Sequence, residues 1–242
     1  IDQWGAAFGL RSPTNRILNL SVGFNGDYFY RSGNAWTIKV GENEKRLLKI
    51  LVDMHHVDKT ASLEGLTSTT NDLFRGFFNG KYAMLPGIGV WARQTIVESG
   101  PKGFNWGVLP PLKDVSQEQG SATQTLSIPA ASNNKAQAMQ FINFLTNRTN
   151  IGKLAAGDWL FPTRQSTLKS STFQTEQNGW RTATESAKHL TMAPFQQVLG
   201  VTEVRSKVLT PVFQQLLANR ITLEEAAQRI EREGNAILAN YK

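Results

Sequence analysis

Apolar residues recur along this chain at helical spacing in some stretches and as short unbroken runs in others, with glycine, proline and asparagine between them. Leu47, Leu48, Leu51 and Met54 form one stripe and predict a helix from Glu42 to Val57. Glu42 and Glu44 fall in its first turn, where the helix dipole favours acids. His55-His56 lies at its end. Adjacent helical residues point about 100° apart, so the pair cannot chelate one metal, and a solvated helix end is expected. Leu73, Phe74, Phe77 and Phe78 predict a helix from Asn71 to Asn79, stopped by Gly80. Pro13 starts another over Asn15 to Val22. Ser132 caps a helix from Asn133 to Leu145 that buries Ala138, Phe141, Ile142 and Leu145, and a shorter one runs from Asn150 to Ala156.

The last third is helical and polar, with helices around Glu176 to His189, Glu203 to Asn219 and Thr222 to Tyr241. Thr222 and Glu225 form a capping box, and Pro211 is expected to kink or split the helix that contains it. Strands are predicted at Trp4 to Phe8, Tyr82 to Leu85, Trp106 to Leu109 and Thr123 to Ile128. Turns fall at Phe24 to Asp27, Ser32 to Asn34 and Pro86-Gly87, and a helix begins near Gly89. Lys113 to Ser121 reads as a loop, as does Asp158 to Thr163. Strands alternating with helices make the class α/β.

Composition narrows the function. The chain has 242 residues, 40% hydrophobic and 19% charged, which suits an ordinary globular protein. No run approaches the roughly eighteen apolar residues of a membrane-spanning helix. The chain opens at Ile1, not at methionine, and is expected to be a processed or cut-down fragment. It has no cysteine, which excludes disulfides, zinc-thiolate sites and cysteine nucleophiles. The net charge of +7 is spread over scattered lysines and arginines, so nucleic acid is not expected as a partner.

Chemistry motifs do not emerge. There is no nucleophile elbow, zinc-protease helix or phosphate-binding loop. Asp27, Asp53, Asp72 and Asp158 lack the context of paired carboxylates in a cleft. Neither catalysis, nor a metal, nor a cofactor is expected. The aromatics say more: of six tryptophans, Trp91, Trp106 and Trp159 fall at strand ends or in loops containing glycine and proline. Loops carry ligand contacts out of proportion to their length, and an aromatic face packs well on the C–H face of a sugar. For any single tryptophan, a half-buried core position is the competing reading.

Five segments then resemble a family in sequence order. Leu73-Phe74-Arg75-Gly76-Phe77-Phe78-Asn79-Gly80-Lys81-Tyr82-Ala83-Met84, followed by Gly89-Val90-Trp91, is similar to the "F-x-x-G-K-x-A-M … G-x-W" signature of extracellular solute-binding proteins. Phe104 to Pro110 resembles their strand leading into a proline loop. Leu126 to Lys135 with Ala138 to Leu145 resembles their "I-x-A-x-S-x-N-K-x-x-A-x-x-F-x-x-F-L" segment. Trp159 to Arg164 and Thr222 to Ala226 match the "P-T-R" and "T-x-E-E-A" endings. The family comprises the carbohydrate-binding subunits of ABC importers related to maltose-binding protein.

The resemblance implies a type II periplasmic-binding-protein-like clamp that closes on a sugar or oligosaccharide and then engages an ABC permease, outside the cytoplasm, in the periplasm or as a lipid-anchored lipoprotein. It implies that the chain lacks the segment opening the first lobe: 1–120 would be second lobe, 121–163 a crossing segment of the first lobe, and 164–242 second lobe again. The strand near Leu126 and the apolar face of the next helix would then lose their cover, and homo-oligomerisation through 123–145, or repacking of that segment, is expected. Among ligand-binding candidates, Trp91 matches the sugar-stacking tryptophan, while Gly87 and Gly89 would let a ligand approach the backbone. Trp159 is carried over from the loop after the crossing segment, and Trp4, Asn25, Asp27 and Arg164 from position alone. The C-terminal tryptophan of maltose binders has no counterpart in Phe195 to Val204, which leaves the sugar open. A receptor for a polyol or glycerol phosphate, with Arg11, Arg31, Arg93 and Arg164 as phosphate partners, is an alternative, and a carbohydrate-active enzyme is one from another class.

Overall fold

The structure is a computed structural model that describes residues 3–121, 125–158 and 160–241. The chain begins with β1 (Trp4–Ala6), α1 (Thr14–Ser21), the strands β2 (Phe29–Ser32) and β3 (Ala35–Ile38), α2 (Glu42–His56), α3 (Thr70–Phe78) and β4 (Tyr82–Met84). It continues through α4 (Ala92–Ser99), β5 (Gln119–Gly120), α5 (Lys135–Thr146), α6 (Arg148–Gly157), α7 (Gln165–Leu168) and α8 (Trp180–Ser186). It ends with β6 (Leu190–Thr191), α9 (Val201–Val204), α10 (Thr210–Leu217) and α11 (Leu223–Leu238). Contacts group these into two units: Ile1–Gly87, Pro111–Ser121 and His189–Lys242 form the first, and Ile88–Pro110 with Ala122–Lys188 the second. These units follow contacts within this chain, whereas the expected lobe segments refer to a whole clamp.

The first unit holds the main core. Ile17, Leu18, Leu48, Leu51, Tyr28, Ile38, Leu209, Phe213 and Ile230 are buried together, drawn from α1, α2, the β2–β3 hairpin and the C-terminal helices. Tyr28 meets Phe213 edge to face at 5.9 Å. The hairpin was legible only as its turn at Ser32 to Asn34, because Tyr30 to Ala35 carries too few alternating apolar residues to declare strands. Its outer edge is covered by α11: Asn235 accepts from the Ile38 N–H and donates to its carbonyl, each at 2.9 Å, and Glu231 accepts from the Val40 N–H at 2.8 Å. Side chains of one helix thus satisfy backbone groups that a lone hairpin would leave to water.

The expected capping box forms at the start of α11, with Thr222 N–H donating to Glu225 at 2.7 Å and Glu225 N–H to the Thr222 hydroxyl at 3.2 Å. Pro211 splits its helix as expected. It opens α10, and the five residues before that helix, Arg205–Leu209, form a π-helical turn. Pro211 has no N–H to give the preceding ladder, so the bonding shifts register ahead of it.

Several local expectations fail. Trp106 to Leu109 and residues 125–128 are loop, since an apolar run becomes a strand only where a partner ladder meets it. Thr123 and the residue after it lie outside the described residues. In β4 only Tyr82 is buried, while Ala83 and Met84 face outward. The loop at 113–121 includes β5, which pairs in parallel with β6. The expected helix at Glu176 to His189 shortens to α8 between 3-10 turns. His55 is not solvated: it is buried, its Nδ1 lies 2.6 Å from the Leu51 carbonyl oxygen, and its ring tilts against Phe8.

Burial of His55 lowers its pKa below the ordinary imidazole value, and the neighbouring His56 lowers it further. In the unfolded chain the ring titrates near the ordinary value of about 6.5. Above that pH both states are neutral and the stability contributed by neutral His55 is fully present. As pH falls from there toward the folded pKa, the unfolded chain takes up a proton that the folded chain refuses, and stability is lost. Urea unfolding across pH 5 to 7.5 is therefore expected to show stability rising with pH, and His55→Gln to flatten that rise. An equally steep rise in the variant would assign it to other groups.

The second unit has a smaller core of Ala155, Phe173 and Trp180, with Ala156 and Phe161 packed on it. Asn147 caps α6 by accepting from Thr149 and Asn150 N–H at 3.0 and 2.9 Å. Helix α5 forms where expected but buries none of its residues; Phe141 and Phe144 are each 61% exposed. Of the stripe Ala138, Phe141, Ile142 and Leu145, Phe141 is exposed and the other three are half-buried, less cover than the pattern alone anticipates.

Candidate functional site

Strands β1 and β4 run parallel with Trp4 opposite Tyr82 and Ala6 opposite Met84, so the chain leaves both at the same end. In open α/β sheets ligands gather at that carboxyl end. There β4 leads into Pro86-Gly87, and Gly87 has φ 66°, a conformation that favours glycine. Arg16 of α1 lies against it: its Nε donates to the Gly87 carbonyl at 2.9 Å, and a Cβ on Gly87 would stand 3.1 Å from the Arg16 Cδ. The other two nitrogens of Arg16 donate to the Gly9 carbonyl and to the Thr70 hydroxyl, both at 2.7 Å. One guanidinium thus ties the segments leaving β1 and β4 to the start of α3. Its burial pushes its pKa down to about 10.

In the second unit, Gly89 and Trp91 meet directly. A Cβ on Gly89 would lie 2.8 Å from Trp91 Cδ1 and 3.0 Å from Nε1, so the indole rests where only a glycine leaves room. Trp91 is the N-cap of α4 and is 38% exposed. Two residues on, Arg93 is buried, and its guanidinium carbon lies 3.2 Å from the centre of the Trp180 ring. Trp180 in turn meets Phe173 edge-on at 5.0 Å. Burial pushes the Arg93 pKa down to about 10.

The remaining candidates sit elsewhere. Trp4 is at the opposite end of the β1–β4 pair from Gly87, tilted against Tyr82, with the Lys81 ammonium 5.5 Å from its ring centre. Lys81 and the Tyr82 hydroxyl both donate to Glu64, whose pKa the Lys81 bond lowers most and the Tyr82 bond next. Trp4 thereby belongs to a structural cluster. Asn25 is exposed and left-handed at φ 60°, ending a 3-10 turn. Asp27 is half-buried, and burial raises its carboxyl pKa, as do the charges of Glu44 and Glu118. Buried Glu44 organises this loop, accepting from the Tyr28 and Gly41 N–H groups at 3.2 and 2.9 Å and from the Tyr30 hydroxyl at 2.8 Å. Arg164 is exposed and donates to the Thr146 carbonyl at 2.7 Å, closing the end of α5. Trp159 lies outside the described residues.

Within the second unit the structure joins Gly89 to Trp91, while Trp4, Asn25 and Arg164 make separate local contacts. Sequence reasoning missed the tie made by Arg16 and the Arg93–Trp180 contact, because nothing in their local pattern names a partner 54 to 87 residues away, and it placed Glu44 only in the first turn of α2, without its partners Tyr28 and Tyr30. Among the described residues, no three His, Asp or Glu side chains gather to hold a metal ion, and no helix is long and apolar enough to cross a membrane.

Residues 3–179 match the family described as bacterial extracellular solute-binding protein. A Streptomyces antibioticus protein, described as an uncharacterized lipoprotein in the oleD 5' region, is 36% identical over 226 residues, which cover 92% of this chain and 50% of that one. Among solved structures, the sugar-binding protein MalE of Xanthomonas citri superposes with TM-score 0.80 at 18% identity, over 99% of this chain and 59% of that one. The GacH receptor of Streptomyces glaucescens, solved without ligand and with acarbose, gives 0.79 at 20% identity, over 99% and 60%. The chain belongs to the bacterial extracellular solute-binding proteins, which act outside the cytoplasm. Its fold is part of a type II periplasmic-binding-protein-like clamp, and it spans about half the length of the curated relative and about 60% of these structures.

Proposed function

We propose that the chain is part of the receptor subunit of an ABC importer and binds a carbohydrate between two lobes without transforming it. The observation that carries this reading is Trp91 held against Gly89 at the head of α4 and partly exposed; the G-x-W motif matches it to the family's sugar-stacking tryptophan. An indole held against bare backbone offers a flat apolar surface to the C–H face of a pyranose, while polar groups around it meet the hydroxyls. The relation to a lipoprotein and to receptors of sugars supports an extracytoplasmic, membrane-tethered component that presents its ligand to a permease. In the whole clamp, residues 1–120 and 164–242 would belong to the second lobe and 121–163 to the first. Calorimetric titration of the intact protein with maltose, maltotriose and acarbose tests the reading. Saturable binding to at least one is expected, and binding of none of a wider sugar panel would overturn it.

The exposed face of α5 carries an association prediction. Phe141 and Phe144, three residues apart on one side of the helix, present apolar surface, and such a face favours contact with another surface. The 242-residue chain expressed by itself is expected to self-associate through 123–145, its light-scattering mass rising with concentration. Phe141→Glu is expected to restore the monomer. A monomeric wild-type chain at all concentrations would refute this.

A further inference from the structure

We infer that Arg93 and Trp180 are positioning residues that set the orientation of Trp91. The inference rests on Trp91 being a ligand platform, but its geometry stands independently. Three backbone bonds close the turn that carries the indole: Ala92 N–H donates to the Gly89 carbonyl at 3.1 Å, Arg93 N–H to Val90 at 3.2 Å and Gln94 N–H to Trp91 at 3.0 Å. Whatever fixes Arg93 therefore fixes the backbone from Gly89 to Trp91. The Arg93 side chain runs inward from the first turn of α4, and its guanidinium lies over the ring of Trp180, the first residue of α8.

That contact is specific in shape. The Arg93 guanidinium carbon lies over the Trp180 ring, 3.2 Å from its centre, and a planar guanidinium can cover an indole in a way that a lysine ammonium, a hydrated point charge, cannot. Both partners are buried, at 2% and 6% exposure, and exclusion of water strengthens a cation–π contact. Phe173 holds the Trp180 ring from its edge, so the indole is itself locked. The result is a short chain of contacts, Phe173 to Trp180 to Arg93, that ends on the turn bearing Trp91. A platform fixed before the ligand arrives loses less conformational freedom on binding than a mobile one.

The test compares Arg93→Lys, Arg93→Met and Trp180→Phe with wild type in the intact protein. The indole N–H resonance of Trp91, assigned by its loss in Trp91→Phe, reports orientation without ligand, and acrylamide quenching of the same residue reports exposure. In Arg93→Lys the resonance is expected to shift or broaden and quenching to increase, although charge is retained. Affinity for maltotriose is expected to weaken about fivefold through lost preorganisation. Trp180→Phe, which keeps an aromatic face, should give the same changes in smaller measure, and it supplies the readout if an Arg93 variant does not fold. Unchanged Trp91 resonance and quenching in the folded variants would overturn the inference. If Trp91 shifts in these variants while Trp91→Ala leaves sugar binding intact, the positioning stands and the platform reading fails.

Discussion

Trp91→Ala is expected to weaken carbohydrate binding by the intact protein about 30- to 100-fold, the range of an interface hot spot of ~2 to 3 kcal/mol. The physical reason lies in what the indole replaces. Without it, the C–H face of a bound sugar ring meets water or a void, and hydroxyl contacts at the ring edge cannot compensate, since they exchange with water at little net gain. Trp91→Phe keeps a smaller flat face and should lose less. Gly89→Ala should act like a partial Trp91 deletion, because the new Cβ, 2.8 Å from Trp91 Cδ1, must displace the indole. Calorimetry with the sugar panel separates these cases. Equal affinity of wild type and Trp91→Ala would remove Trp91 from the site.

Arg16→Met is expected to have the largest effect on stability, about 2 to 4 kcal/mol. The methionine fills much the same space along the stem but leaves the Gly87 and Gly9 carbonyls and the Thr70 hydroxyl without their donor. The Gly87 carbonyl can turn to water, but the Gly9 carbonyl and Thr70 hydroxyl are partly buried, where a lost donor costs more than the bond was worth, and three segments lose their common tie at once. The unfolding midpoint should fall by roughly 10 °C for a chain of this size. Arg16→Lys should recover only part of this, since a point charge cannot serve three divergent acceptors. Differential scanning calorimetry decides the matter; a shift of a degree or less would mean the tie is incidental.

The readable parts of this fold are those in which partners lie close along the chain. Thr222 finds Glu225, Gly80 stops α3 and Pro211 breaks its helix, all within a turn or two. The pairing of β1 with β4 agrees with two apolar runs marked as strands, although neither run names the other. The same short-range logic misplaced strands at Trp106 to Leu109 and beyond residue 125, where apolar character without a neighbouring ladder leaves the backbone as loop. It also misjudged His55, since the depth of a helix end depends on what packs over it, here Phe8 from another segment.

The candidate site divides in the same way. Gly89 and Trp91 are two residues apart, so their contact was within reach of the sequence. So was family membership, because motif order survives without coordinates. What tertiary structure alone decided are the long-range contacts: within the first unit Arg16 reaching Gly87, Gly9 and Thr70, and within the second Arg93 against Trp180. It also put Trp4 at the far end of its strand pair from Gly87. The sequence by itself determined the class of protein and singled out Trp91, the residue proposed to meet a ligand, since both follow from local pattern and spacing. How its neighbour Arg93 is held was decided by folding, because the Trp180 ring lies far along the chain and meets the guanidinium only when the chain packs.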